Sequence, residues 1–139
     1  MKRFGYLFEK IVDIENIKLA HKNARRGKSK YREVRMVDAD IERYALEIKQ
    51  LLESGLYRTS EYSVIQKIDK GKVRDIYRLP YYPDRIVHHA IMQILEPIWK
   101  PTLINDTYQS IKGRGPHKAI KKLRRLIIRD GYRYYLKLD

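Results

Sequence analysis

The apolar residues near the start of the chain recur at helical spacing: Phe4, Leu7, Ile11 and Ile14, then Ile17, Ala20 and Ala24. That period predicts helix, and Asp13 is placed to cap a second helix where a first one stops, so one bent or two short helices are expected as far as Arg26. The pattern lapses in HKNARRGKSKYREVR, residues 21–35, where seven basic residues accompany one acid around Gly27 and Ser29. An exposed basic loop is expected there. Asp38 or Asp40 then caps a helix whose Ile41, Tyr44, Ala45, Ile48, Leu51 and Leu52 form one stripe, ended by Ser54 and Gly55. YSVIQKID and VRDIYRLP are rich in β-branched and aromatic residues and flank the turn at Gly71, which predicts a β-hairpin stopped by Pro80. After Pro83 the stripe Ile86, Val87, Ala90, Ile91, Ile94, Leu95 and Ile98 predicts a helix closed by Pro97 and Pro101. A last helix is expected over Pro116–Arg129, with Ala119, Ile120, Leu123 and Ile127 inward and Lys118, Lys122, Arg125 and Arg129 outward. Gly131 breaks it, and YRYYLKLD reads as a strand running to residue 139.

These elements predict an α+β fold, helices packed on a short antiparallel hairpin, organised as one domain of 139 residues. Its parts are a helical region over 1–57 with the basic loop at 21–35, the hairpin over 58–80, helices over 81–130 and a closing strand over 131–139. Hydrophobic residues make up 43% and charged residues 35% of the chain, which fits a folded, soluble protein rather than a disordered one. No apolar run approaches the roughly 18 residues that span a bilayer, and acids interrupt the opening MKRFGYLFEKIVDIE, so neither membrane insertion nor secretion is expected. The absence of cysteine removes disulfides and thiolate chemistry and suits a reducing cytoplasm. Motifs for P-loop, zincin, serine-hydrolase and dinucleotide-binding chemistry are all missing. His88 and His89 are adjacent on a helix and splay by about 100°, a poor metal pair that better suits a structural or phosphate-contacting role.

Charge changes the picture most. Thirty-one Lys and Arg against 17 Asp and Glu give a net +14, more than solubility requires, and point to a polyanion, nucleic acid first. Twelve tyrosines add rings able to stack on bases. From Lys112 to Lys137 ten basic residues meet one acid, Asp130. A solvated helix face is the plain reading of such a ladder, but solvated helices interleave signs and this one lacks the matching Glu, so Lys118, Lys122 and Arg125 are candidate phosphate contacts. The Gly113-Arg114-Gly115 turn ahead of that helix offers backbone amides and a guanidinium to a further phosphate.

YRLPYYPDRIVHHAIMQILEPIW, followed by DTYQSIKGRGPHKAI and then YYLKLD, resembles the fingers and early palm of reverse transcriptases of the bacterial retroelement kind, the group II intron and diversity-generating families. The resemblance covers nearly the whole chain and rests on an ordered set: a basic hairpin with Arg before LP, then DRIVHHA, then the SIKGRG turn, then a strand ending in Leu-Asp. It implies the activity of an RNA-directed DNA polymerase, with magnesium as cofactor and an RNA template, a DNA primer and deoxynucleoside triphosphates as partners. Asp139 matches the catalytic aspartate that holds both metal ions. Arg74 and Lys67 match the residues that clamp the incoming triphosphate. Gly113 and Arg114 match the turn supporting the template, with Tyr108 as its upstream aromatic; Ile111 and Lys112 stand where the intron form has arginine and proline. The second carboxylate pair and the thumb of such enzymes would lie beyond residue 139. The chain is therefore expected to be a piece of a longer enzyme, inactive alone yet nucleic-acid-binding, and to self-associate through apolar surface around Trp99, Tyr134 and Tyr135. The alternatives are a self-contained RNA- or DNA-binding module without chemistry and, more weakly, a helix-turn-helix regulator, for which no pair of short helices flanks a glycine turn.

Overall fold

The computed structural model describes residues 3–109 and 111–138. The fold is α+β, in the order α1 (Leu7–Ile11), α2 (Ile14–Ala24), α3 (Arg32–Ala39), α4 (Ile41–Glu53), β1 (Ser63–Asp69), β2 (Lys72–Arg78), α5 (Ile86–Trp99) and α6 (Pro116–Ile128). The chain divides into two compact units, one within residues 1–98 and the other within 99–139.

In the first unit, α2, α3, α4 and α5 each contribute one apolar face to a common core. Ile17, Ala20 and Ala24 meet Val34 and Val37, Ala45 and Ile48, and Ile86, Val87 and Ala90, with the ring of Tyr81 against them. The helix starts follow the expected chemistry. Asp13 accepts from the Asn16 amide at 3.1 Å and Asp40, rather than Asp38, accepts from the Arg43 amide at 3.2 Å. Gly55 ends α4 with φ +68°, a backbone region that glycine enters without strain. Amide side chains fasten α2 to α5: Asn16 donates to the Ala90 carbonyl at 3.1 Å, and Gln93 donates back to Asn16 Oδ1 at 2.8 Å.

The basic stretch 21–35 is not one exposed loop. The helix α2 continues to Ala24 and α3 begins at Arg32, leaving 25–31 between them. The physical reason is that Ala24, Val34 and Val37 are sealed in the core, while Lys22, Arg32 and Arg35 occupy the outer faces of the same helices and the other four cations lie in the segment between them. Pro97 does not end α5, which runs on to Trp99.

The hairpin forms as expected. The register pairs Asp69 with Lys72, Lys67 with Arg74 and Ile65 with Ile76. Its two-residue loop, Lys70 and Gly71, has φ of +51° and +77°, the primed-turn geometry that matches strand twist. All fourteen strand residues are exposed.

In the second unit, α6 starts at Pro116, whose missing N–H is harmless at a first helical position. Its expected inward residues are not buried: Ile120, Leu123 and Ile127 are each about half exposed. The expected closing strand is likewise absent over 131–138. A strand needs a ladder partner, and among the described residues β1 and β2 pair only with each other. Tyr134 and Tyr135 are accordingly almost fully exposed.

Candidate nucleic-acid interface

Basic side chains collect in three places. The first is the hairpin. Residues opposite each other in an antiparallel pair share a face, so Lys67, Asp69, Lys72, Arg74 and Arg78 lie on one side, around the Ile65–Ile76 pair. Thus the two residues expected to clamp a triphosphate, Lys67 and Arg74, are direct cross-strand neighbours. The Arg74 guanidinium rests 3.4 Å from the Asp69 carboxylate, in a pair exposed on both sides. Such a pair is worth at most about 1 kcal/mol, so it yields readily to a stronger anion.

The second collection belongs to the C-terminal unit. Gly113, at φ +79°, completes a tight turn in which the Arg114 amide donates to the Ile111 carbonyl at 2.9 Å. The turn aims the Arg114 guanidinium back at its own loop, where it donates to the Ile104 carbonyl at 3.1 Å. Lys122 is paired with Asp106, which also accepts from the Tyr108 hydroxyl at 2.9 Å. The Lys122 ammonium holds the Asp106 carboxyl below the ordinary carboxylate range, with the Tyr108 hydrogen bond adding to the effect. Tyr108, Arg114, Lys118, Lys122 and Arg125 therefore line one hollow of about 770 Å³. Lys118 and Arg125 make no ion pair among the described residues, whereas Arg114 and Lys122 are engaged within the unit. Lys112 and Gly113 are exposed on the turn beside them. Asp106 was not singled out from the sequence, although it is the lone acid between Glu96 and Asp130.

The third collection is a cleft of about 960 Å³ within the first unit, at the root of the hairpin. Its walls are the start of α3, the strand ends and the first turn of α5. Polar bonds, most of them partly buried, brace the segments behind those walls. The Tyr81 amide donates to Glu33 on α3, and the Tyr81 hydroxyl lies 2.8 Å from His21 Nδ1, while His21 Nε2 lies 2.7 Å from Asp38. Asp84, fully buried, accepts from the Tyr57 hydroxyl at 2.7 Å and the Ser60 amide at 3.2 Å. Burial alone would lift the Asp84 carboxyl; the hydrogen bonds from Ser60 and Tyr57 outweigh it and hold it below the usual range. His89, half-buried beside the cleft, is pushed down by burial and by the charges of Arg85 and Lys28. Neither His21 nor Asp84 stands out from the sequence alone, because burial is not visible in residue type.

Asp139, expected as the catalytic and metal-holding aspartate, lies outside the described residues, as does Ser110 of the SIKGRG turn. Among the described residues no three carboxylates or histidines gather to hold a metal ion, and no helix is long and apolar enough to cross a membrane. No protein-family model matches the chain. Over 74 residues the chain is 34% identical to nuclear intron maturase 1, mitochondrial, of Arabidopsis thaliana; the match takes in 52% of this chain and about a tenth of that relative's length.

Proposed function

We propose that this chain is the nucleotide- and template-gripping part of an RNA-directed DNA polymerase associated with a retroelement. The observation that carries this reading is the register that sets Lys67 opposite Arg74 on an exposed basic face. A planar guanidinium and a mobile ammonium side by side suit the oxygens of a triphosphate. The Asp69 carboxylate beside Arg74 is the contact an incoming phosphate would replace. The likeness to an intron maturase, and the resemblance of the ordered motifs to reverse transcriptases, support the same reading. Magnesium would supply charge neutralisation at the phosphates and activation of a primer hydroxyl; the described cations bind and orient phosphate, and Asp139 is the residue proposed to hold the metal in the longer enzyme.

The test is nuclear magnetic resonance of the 139-residue chain titrated with a deoxynucleoside triphosphate. Shifts centred on Lys67 and Arg74, weakened about tenfold by Arg74→Ala, are expected. Shifts confined to Lys118, Arg125 and their neighbours would instead favour a binding module without nucleotide chemistry. That second reading has its own support in the α6 cations, which do not depend on the hairpin. For them, replacing Lys118 and Arg125 with Ala should lower the salt slope of single-strand binding by about 0.7 per cation.

A further inference from the structure

The hairpin carries its cations on one face only, and its other face has a different chemistry. Side chains alternate along a strand, so Val64, Gln66 and Ile68 of β1 share the second face with Val73, Asp75 and Tyr77 of β2. Val64, Ile68, Val73 and Tyr77 are each more than half exposed. The backbone shows the same division. A two-residue loop closes on a pair that exchanges both of its bonds, here Asp69 and Lys72, and bonded and non-bonded pairs alternate from there. The amides and carbonyls of Val64, Gln66 and Ile68 therefore point outward along β1, and those of Val73, Asp75 and Tyr77 outward along β2. Among the described residues no other strand or backbone group bonds to either edge. The two edges are guarded unequally. Charge stands on β2 at Lys72, Arg74, Asp75 and Arg78, whereas β1 has none before Lys67 and neither proline nor bulge interrupts it.

We infer that β1 pairs with β1 of a second copy of this chain, antiparallel about a two-fold axis at Gln66, giving a four-stranded sheet in the order β2-β1-β1-β2. A hairpin of two strands is marginal by itself, and further strands with an apolar face stabilise it. Self-complementarity singles out the occupant. About that axis Val64 faces Ile68 of the second copy, Ser63 faces Asp69, and Gln66 faces Gln66, whose amide both donates and accepts. No like charges stand directly opposite. The same operation on β2, about Asp75, sets carboxylate against carboxylate and Lys72 against Arg78, which is unfavourable. The β1 pairing leaves Lys67 and Arg74 uncovered on the opposite face and brings the two cationic faces side by side. Repulsion between them makes the association tighten as salt rises, the reverse of phosphate binding. The inference goes beyond the polymerase reading and does not require it.

The experiment uses the full 139-residue chain freed of nucleic acid by nuclease, with association read by sedimentation equilibrium and hydrogen exchange read at single amides. A dimer is expected. As it forms, the Val64, Gln66 and Ile68 amides gain protection while those of Val73, Asp75 and Tyr77 stay open. Gln66→Lys and Gln66→Glu should each weaken the dimer about tenfold, because each copy meets its own charge across the axis, and an equimolar mixture should restore it. Gln66 is exposed, and an unchanged melting temperature at low concentration verifies the fold. Tyr134→Ser with Tyr135→Ser should leave the association unaltered. A chain that stays monomeric at millimolar concentration overturns the inference. So does a dimer that the mixed Gln66 variants fail to restore, or one that the tyrosine variant abolishes, since another surface then holds the copies. Protection confined to the β2 edge also overturns it.

Discussion

Residues 3–98 enclose a core in which Ile17, Val34, Ile48 and Ile86 are sealed from solvent, whereas no described residue of 99–138 is buried. Both regions carry cations, but they position them by different means. The first mounts Arg32 on α3 and Arg85 immediately before α5, two helices whose opposite faces are anchored in that core. The second, with little apolar burial to draw on, uses its own charges as struts: Arg114 holds the Ile104 carbonyl and Lys122 holds Asp106. A cation spent on structure is less available to a ligand. The difference teaches that net charge overstates binding capacity where packing is thin.

Core truncation should expose the contrast most sharply. Ile48→Ala is expected to destabilise the first unit by about 3 kcal/mol, as for other aliphatic-to-alanine changes in sealed cores. Leu123→Ala, on the half-exposed face of α6, should change stability by no more than about 0.5 kcal/mol. Residue-resolved hydrogen exchange under denaturant reads both; equal losses would erase the distinction between the regions.

Asp84→Asn should follow, weakening the first unit by about 2 kcal/mol through its charge-assisted hydrogen bonds. Because the folded Asp84 carboxyl is held low, its contribution is complete above the unfolded carboxyl range near 4 and is lost as pH falls through the folded value. An acid-unfolding midpoint that the variant leaves unmoved would dismiss that role. His89 acts in the opposite sense of charge. Folding depresses it, so below about 6.5 the unfolded chain takes up a proton the folded one resists, and stability declines as pH drops until the folded value is passed. His89→Gln should flatten that slope between pH 7 and 5 in thermal melts.

The smallest effect concerns the strut at Asp106. Asp106→Asn frees Lys122 and Tyr108 and should raise the salt slope of oligonucleotide binding by about 0.7, the signature of one added phosphate contact. An unchanged slope would mean that Lys122 stays out of reach of ligand even when released.

Much of this was legible in sequence where the determinants are local. The α4 stripe with its Asp40 cap, the Asp13 break and the Lys70-Gly71 turn each depend on residues a few positions apart. The turn also dictates the Lys67–Arg74 pairing, since a two-residue loop leaves no freedom of register. What escaped depends on distant partners. Val34 and Val37 signalled α3 through their spacing, but seven surrounding cations masked it. The α6 stripe has helical period, which sequence cannot distinguish from a stripe that is covered. The tail at 131–138 has strand composition without a strand beside it. His21 meets Tyr81, and Asp84 meets Tyr57 and Ser60, only through folding, across sequence separations that no motif spans.

The bracing around Tyr81 has a kinetic consequence. With Glu33 on its amide and His21 on its hydroxyl, the residue pins α3 to the start of α5, so the groove between them keeps its width before anything enters. A ligand entering there would need no slow rearrangement, and its encounter would proceed at a rate set by diffusion and electrostatic attraction rather than by opening. Residence time, by contrast, would be governed by the contacts that a bound ligand has to break on leaving.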